Sequence, residues 1–85
     1  MKSMRMNANI VRINNYIVSN PRICHGKLTF KGTRIMIWQI LEMLEAGANI
    51  NEILRNYPSL NEGHIKAALH LAAEKLAGER FVPIY

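Results

Sequence analysis

Aspartate does not occur in this 85-residue chain, cysteine occurs once, and no carboxylate precedes Glu42. Each shortage excludes something. The six acids are all glutamates (Glu42, Glu45, Glu52, Glu62, Glu74 and Glu79), and they are spread along helical patterns. A two-metal nuclease or a carboxylate-pair hydrolase needs clustered acids, so no enzyme is expected. The lone Cys24 excludes an internal disulfide and a cysteine-rich zinc framework, and a reducing compartment follows as the expectation. No apolar run approaches the roughly 20 residues that span a bilayer. The basic start, Met1 to Met6, lacks the apolar segment of a secretory signal, which predicts a cytoplasmic protein. The two glycines of the basic segment lack the GxxxxGK[ST] order of a phosphate-binding loop. No metal and no cofactor are expected.

What is present is a small, half-apolar, unevenly charged domain. Hydrophobic residues make up 49% of the chain, enough for one core but a modest one at this length. Chains of this size often complete their burial against a partner or a second copy, and a homodimer is expected. Residues 1–34 carry Lys2, Arg5, Arg12, Arg22, Lys27, Lys31 and Arg34 with no acid, a net +7. Residues 35–85 carry four cations against the six glutamates, a net −2, and the two parts sum to the overall +5. A localised positive segment points to phosphate contact or an acidic partner; the alternative is a solvated basic arm.

The positive segment has internal order. From Asn20 to Ile35 it holds Pro21, two glycines six residues apart (Gly26 and Gly32) and the strand-like Leu28-Thr29-Phe30 between them. Glycine suits turns that need φ > 0, so the stretch reads as two tight turns around a small hairpin. Before it, Ile10 to Ile13 and Tyr16 to Val18 have β character, interrupted by the turn pair Asn14-Asn15.

From Ile35 onward the period changes. Ile37, Ile40, Leu41 and Leu44 repeat at i, i+3, i+4, i+7, and Gly47 sits where a helix ends. Asn49 and Glu52 make a capping-box pair for a second helix, with Ile50, Ile53, Leu54 and Tyr57 on its apolar face and Pro58 as its stop. Asn61 caps a third helix over Glu62 to about Ala77, with the stripe Ile65, Leu69, Ala72, Leu76 directed at the core, Ala68 and Ala73 beside it, and Gly78 at its end. A short helix, a turn around Pro58-Ser59-Leu60 and a longer helix are the order of a helix-turn-helix. The pattern also suits bundles that never touch DNA. If it is a reader, Asn61, Glu62, His64 and Lys66 stand at the reading end, and Gly63 permits close backbone approach.

Taken together, Asn20-Pro21-x-Ile23-Cys24-x-Gly26-Lys27, then Gly32-Thr33-Arg34-Ile35, Gly47, Ile53-Leu54, Tyr57-Pro58-x-Leu60 and the alanine-rich last helix resemble the domain of unknown function 433 family, over roughly residues 10 to 77. The resemblance implies a small prokaryotic helix-turn-helix protein of homeodomain-like type. It further implies an antitoxin of a type II toxin–antitoxin pair with a PIN-like ribonuclease as its toxin. On that basis Gly26-Lys27 and Gly32-Thr33-Arg34 form a signature hairpin, and Ile50 to Ala77 form the helix-turn-helix. Phe30-Lys31 before Gly32 and Gly63-His64 at the start of the third helix depart from the family's usual pattern.

The remaining features have bland readings as well as functional ones. Cys24 and His25 are neighbours; in an extended segment they point apart, so Cys24 is read as structural. His64 and His70 lie about 240° apart around one helix and diverge. Trp38, with Met36 and Met43, either packs in the core or offers a dimer or partner surface. The tail Phe81, Val82, Ile84 and Tyr85 either folds back on its own domain or enters a partner's groove.

The expectation is a mainly α single domain over 1–85, with a three-helix homeodomain-like helix-turn-helix core and a short N-terminal β-hairpin. Its parts are a flexible 1–9, a strand and hairpin segment 10–35, a helical core 36–77 and an extended tail 78–85. DNA contact is assigned to Lys27, Lys31, Thr33, Arg34, Asn61, His64 and Lys66, and partner contact to Trp38, Phe81, Val82, Ile84 and Tyr85. The expected function is that of an antitoxin that binds a PIN-like ribonuclease and its own operator DNA. A stand-alone transcription regulator and a protein adaptor that never binds DNA remain open.

Overall fold

A computed structural model describes residues 9–78. Residues 1–8 and the tail side chains Phe81, Val82, Ile84 and Tyr85 lie outside the described residues, and so do the readings attached to them. The chain runs β1 (Val11–Arg12), β2 (Ile17–Ser19), a 3-10 turn (Cys24–Gly26), β3 (Leu28–Phe30), α1 (Ile37–Glu45), α2 (Ile50–Asn56) and α3 (Glu62–Ala77). It is mainly helical, with a small antiparallel sheet ordered β1-β2-β3 in place of the single hairpin expected. Among the described residues no helix is long and apolar enough to cross a membrane.

Local chemistry sets each turn of the sheet. Asn14 Oδ1 accepts from the backbone N–H groups of Tyr16 (2.8 Å) and Ile17 (2.9 Å), an Asx turn that folds β1 onto β2. The β2–β3 connection turns through three successive left-handed residues, Cys24 (φ 52°), His25 (φ 57°) and Gly26 (φ 84°). Only the last is a glycine, so the first two hold a conformation that side-chain-bearing residues seldom adopt. Ser19 Oγ closes the loop by donating to Gly26 O at 2.6 Å. The extended Cys24-His25 expected from sequence is thus replaced by a tight turn, in which Cys24 Sγ donates to Arg34 O at 3.6 Å.

Beyond β3 the chain reverses again around Gly32 (φ 79°), as the sequence predicts. Phe30 N–H donates to Ile35 O, and Thr29 bridges to Met36, so the residues leading into α1 lie along β3. Pairing is Val11 with Ser19 and Arg12 with Val18 on one side of β2, and Ile17 with Phe30, Val18 with Thr29 and Ser19 with Leu28 on the other.

The helix boundaries follow the capping signals. At the end of α1, Ala48 N–H donates to Met43 O and Gly47 N–H to Leu44 O, with Gly47 at φ 101°. This is the double bond pattern of a Schellman ending, and it needs a residue that tolerates φ > 0 at Gly47. The Asn49–Glu52 box forms reciprocally: Asn49 Oδ1 accepts from Glu52 N at 2.9 Å and Glu52 Oε1 accepts from Asn49 N at 2.8 Å.

The core joins one sheet face to all three helices: Ile17 and Phe30 from the sheet, Ile37 and Ile40 from α1, Ile53 from α2, Leu60 from the turn, and Ile65, Ala68 and Leu71 from α3. Ile17, Phe30, Ile40, Ile53 and Ile65 are completely buried, each contributing about 1.5–3 kcal/mol of transfer free energy. The stripe expected on α3 is corrected here. Leu69 is 45% exposed and Leu76 64% exposed. Ala68 and Leu71 take their place, a buried face turned by about 60°. Both faces of α3 are apolar enough to bury, so the orientation is set by the residues that α3 meets across the core rather than by its own pattern.

Candidate nucleic-acid interface

The start of α3 is built into the sheet. Asn61 Oδ1 accepts from Gly63 N (2.8 Å) and His64 N (3.3 Å), while Asn61 N–H donates to His64 Nδ1 at 3.0 Å. His64 therefore takes the place of the acid in a capping box, and an accepting Nδ1 leaves the ring proton on Nε2. The same ring stands edge-on to Tyr16 (4.7 Å between centroids) and Phe30 (5.3 Å). Tyr16 in turn lies over Gly63: a Cβ on that glycine would stand 2.9 Å from Tyr16 Cζ and closer still to the hydroxyl. The close approach that Gly63 permits is thus taken by Tyr16, not left open for a nucleic acid.

Around this joint lies a shallow depression of about 420 Å³, lined by Asn14, Asn15, Tyr16, Gly63, Lys66 and His70. Lys66 and His70 are exposed on consecutive turns of α3, with His70 Nε2 3.6 Å from Glu74 Oε2. The backbone of Lys31 joins the same region, because Lys31 N–H donates to Tyr16 O at 2.8 Å. The five cations of residues 9–41 (Arg12, Arg22, Lys27, Lys31 and Arg34) have no carboxylate among them in sequence.

The residues predicted for DNA contact divide into four groups. Lys31 and Lys66 are both exposed and each is tied to Tyr16, Lys31 through its backbone N–H on Tyr16 O and Lys66 by lining the same depression as the ring. Asn61, His64 and Thr33 are engaged in the fold. Thr33 Oγ1 donates to Phe30 O (2.8 Å) and accepts from Ile35 N (3.0 Å), so the Gly32 turn consumes its hydroxyl. Lys27 leaves the group altogether, lining a groove beside Lys75 and Trp38. Arg34 is exposed at the foot of the turn. Sequence reasoning missed Asn15, Tyr16 and His70 as neighbours of the start of α3; the signal available was Gly63 itself, a residue without a Cβ in an otherwise favourable helix.

The matching family decides the chain's kinship. Residues 17–72, well over half of the chain, match the DUF433 family, described as a protein of unknown function. The chain belongs to the DUF433 family. No curated protein and no solved structure matches it.

The DUF433 match begins at Ile17 in β2 and ends at Ala72 in α3, a shorter span than the resemblance over 10–77 suggests. It contains the Tyr57–Asn61 turn and the capped start of α3, and leaves β1 and the last turn of α3 outside. Elsewhere on this DUF433 domain, residues of α1 and α3 line an apolar groove of about 310 Å³, among them Ile37, Leu41, Ala68 and Leu71. Trp38 forms one wall and is 49% exposed, so the reading of Trp38 as a core residue is overturned. Its indole N–H donates to Met36 Sδ at 3.3 Å, which holds the ring at the rim.

Proposed function

We propose that this protein is a DNA-binding antitoxin-type regulator. In this reading α2, the Tyr57–Asn61 turn and α3 act as a homeodomain-like helix-turn-helix. Lys66 and His70 face the major groove, and Lys31 and Arg34 hold flanking phosphates. The single observation that carries it is the joint of Tyr16 on Gly63, which sets the basic Lys31 turn beside the exposed start of α3. Asn61 and His64 serve by fixing the helix start, and Thr33 by fixing the basic turn, rather than by touching bases.

The antitoxin half rests on the family resemblance and on the Trp38 groove. A PIN-like ribonuclease is the proposed occupant of that surface, aided by the tail side chains Phe81, Val82, Ile84 and Tyr85. A homodimer would present two copies of α3 to half-sites about one helical turn of DNA apart. The mechanism is binding without turnover.

Fluorescence anisotropy with the DNA upstream of its own gene tests the first half. Affinity should fall steeply with salt, with a slope reduced by about one unit when Lys31 or Lys66 becomes Ala. Weak, salt-independent and sequence-blind binding would make the protein an adaptor instead. Recovery of a small ribonuclease-like protein with the tagged chain tests the second half; recovery of promoter DNA alone would make it a stand-alone regulator.

A further inference from the structure

The sheet has a second face that the core does not use. Pleating sends alternate side chains to opposite faces, and Ile17 and Phe30 go to the helices. On the other face each strand and its immediate flank contribute a pair two residues apart: Ile10 and Arg12, Val18 and Asn20, Thr29 and Lys31. All six border one cavity of about 440 Å³. The register aligns Arg12, Val18 and Thr29 in a single row across the strands.

Thr29 is the anomaly in that row. It is completely buried, and its Oγ1 finds no hydrogen-bond partner among the described residues. A hydroxyl shut from water without a partner is costly, and it lies on the cavity side of its strand. Asn20 has donating capacity left as well: its Oδ1 accepts from Arg22 N at 2.9 Å, and its amide N–H groups make no hydrogen bond among the described residues. Two cations, a buried hydroxyl and an amide donor therefore line one cavity, with the apolar Ile10, Val18 and Ile23 among them.

We propose that this cavity binds a small organic phosphate monoester. A monoester carries about −1.5 to −2 charges at neutral pH and three strong acceptor oxygens, which matches Arg12 and Lys31 acting together. A backbone phosphodiester carries a single charge and projects from a convex surface, so a concave, partly apolar site fits it less well. The volume lies in the range of small-ligand pockets. The site is separate from the reading end of α3, with only Lys31 common to both, so Arg12 and Thr29 report on it alone.

The test uses the full chain with inorganic phosphate, ribose 5-phosphate, adenosine monophosphate and unphosphorylated adenosine as probes, followed by calorimetry and by amide chemical shifts. At least one monoester should bind saturably, with a dissociation constant of about 1 mM or tighter. It should shift the amides of Arg12, Thr29 and Lys31, and it should bind roughly tenfold more tightly than adenosine. Arg12→Ala should weaken it by a similar factor with the circular dichroism unchanged.

Thr29→Val removes the unpaired hydroxyl at nearly constant volume. It should raise the thermal midpoint and weaken the monoester, whereas Thr29→Ser should keep the affinity. The proposal is overturned if no monoester saturates, if adenosine binds as well as its phosphate, or if Thr29→Val leaves binding unchanged. Shifts of these amides by duplex DNA but by no monoester would also overturn it, making the face part of the nucleic-acid surface.

Discussion

Tyr16 and Gly63 meet across 47 residues of chain (63 − 16), and the ring occupies the space that any larger residue at 63 would need. The contact holds the sheet against the first turn of α3, with His64 packed on the same ring. Helix propensity alone would favour alanine at this position by about 1 kcal/mol.

Gly63→Ala should therefore destabilise the protein by about 1–3 kcal/mol, against its propensity gain, because a ring packed on His64 must move. In a Tyr16→Ala background the same substitution should instead stabilise by about 0.5–1 kcal/mol. Urea denaturation of the four proteins of this cycle measures the coupling. Additive effects would show that the two residues do not press on each other.

Thr33→Val should cost about 1–2 kcal/mol, since Ile35 N loses its acceptor inside a tight turn, while Phe30 O loses one of two donors and keeps the Thr33 N–H. Thr33→Ser should be close to neutral. The salt slope of DNA binding should be the same for both variants at temperatures where both are folded, because the hydroxyl faces the turn. A changed slope in Thr33→Ser would return Thr33 to the DNA surface.

Lys66→Ala should alter which sequence the protein prefers as well as its affinity, whereas Arg34→Ala should weaken all sequences alike. Selection from a randomised duplex pool, followed by titration at two salt concentrations, separates the effects. Uniform loss in both variants would make α3 a phosphate-binding helix with no reading role.

Trp38→Ala should change stability by about 1 kcal/mol or less, because half of the residue is in solvent, while the neighbouring Ile40→Ala should cost about 2–5 kcal/mol. The tryptophan variant should nevertheless lose partner binding or self-association, read by sedimentation. Intact association would remove the α1–α3 groove from the interface.

Much of this fold is legible in the sequence because the deciding signals are local. Gly47, Asn49 with Glu52, Pro58 and Asn61 mark helix ends through bonds within a few residues, and the helices end where those residues stand. The Asn14-Asn15 turn is legible for the same reason. The buried face of α3 is not, since Leu69 and Ala68 are both apolar and the choice depends on what lies opposite. The site follows the same rule. The charge imbalance and Lys66 are visible in the chain, but the loss of Thr33 to its own turn and of Lys27 to the Trp38 groove needs the tertiary arrangement. Asn15, Tyr16 and His70 were missed because their relevance arises only when residue 16 meets residue 63.

The sheet also limits where a strand from another chain could add. The far side of β3 is occupied by the bridge from Thr29 to Met36, so β1 carries the open edge among the described residues. That edge is only Val11–Arg12, two residues long with a cation on it. So short and charged an edge is a poor template for a neighbouring strand. Among the described residues the sheet thus offers little room for strand addition, and the exposed apolar side chains Trp38, Leu69 and Leu76 lie on the helices instead.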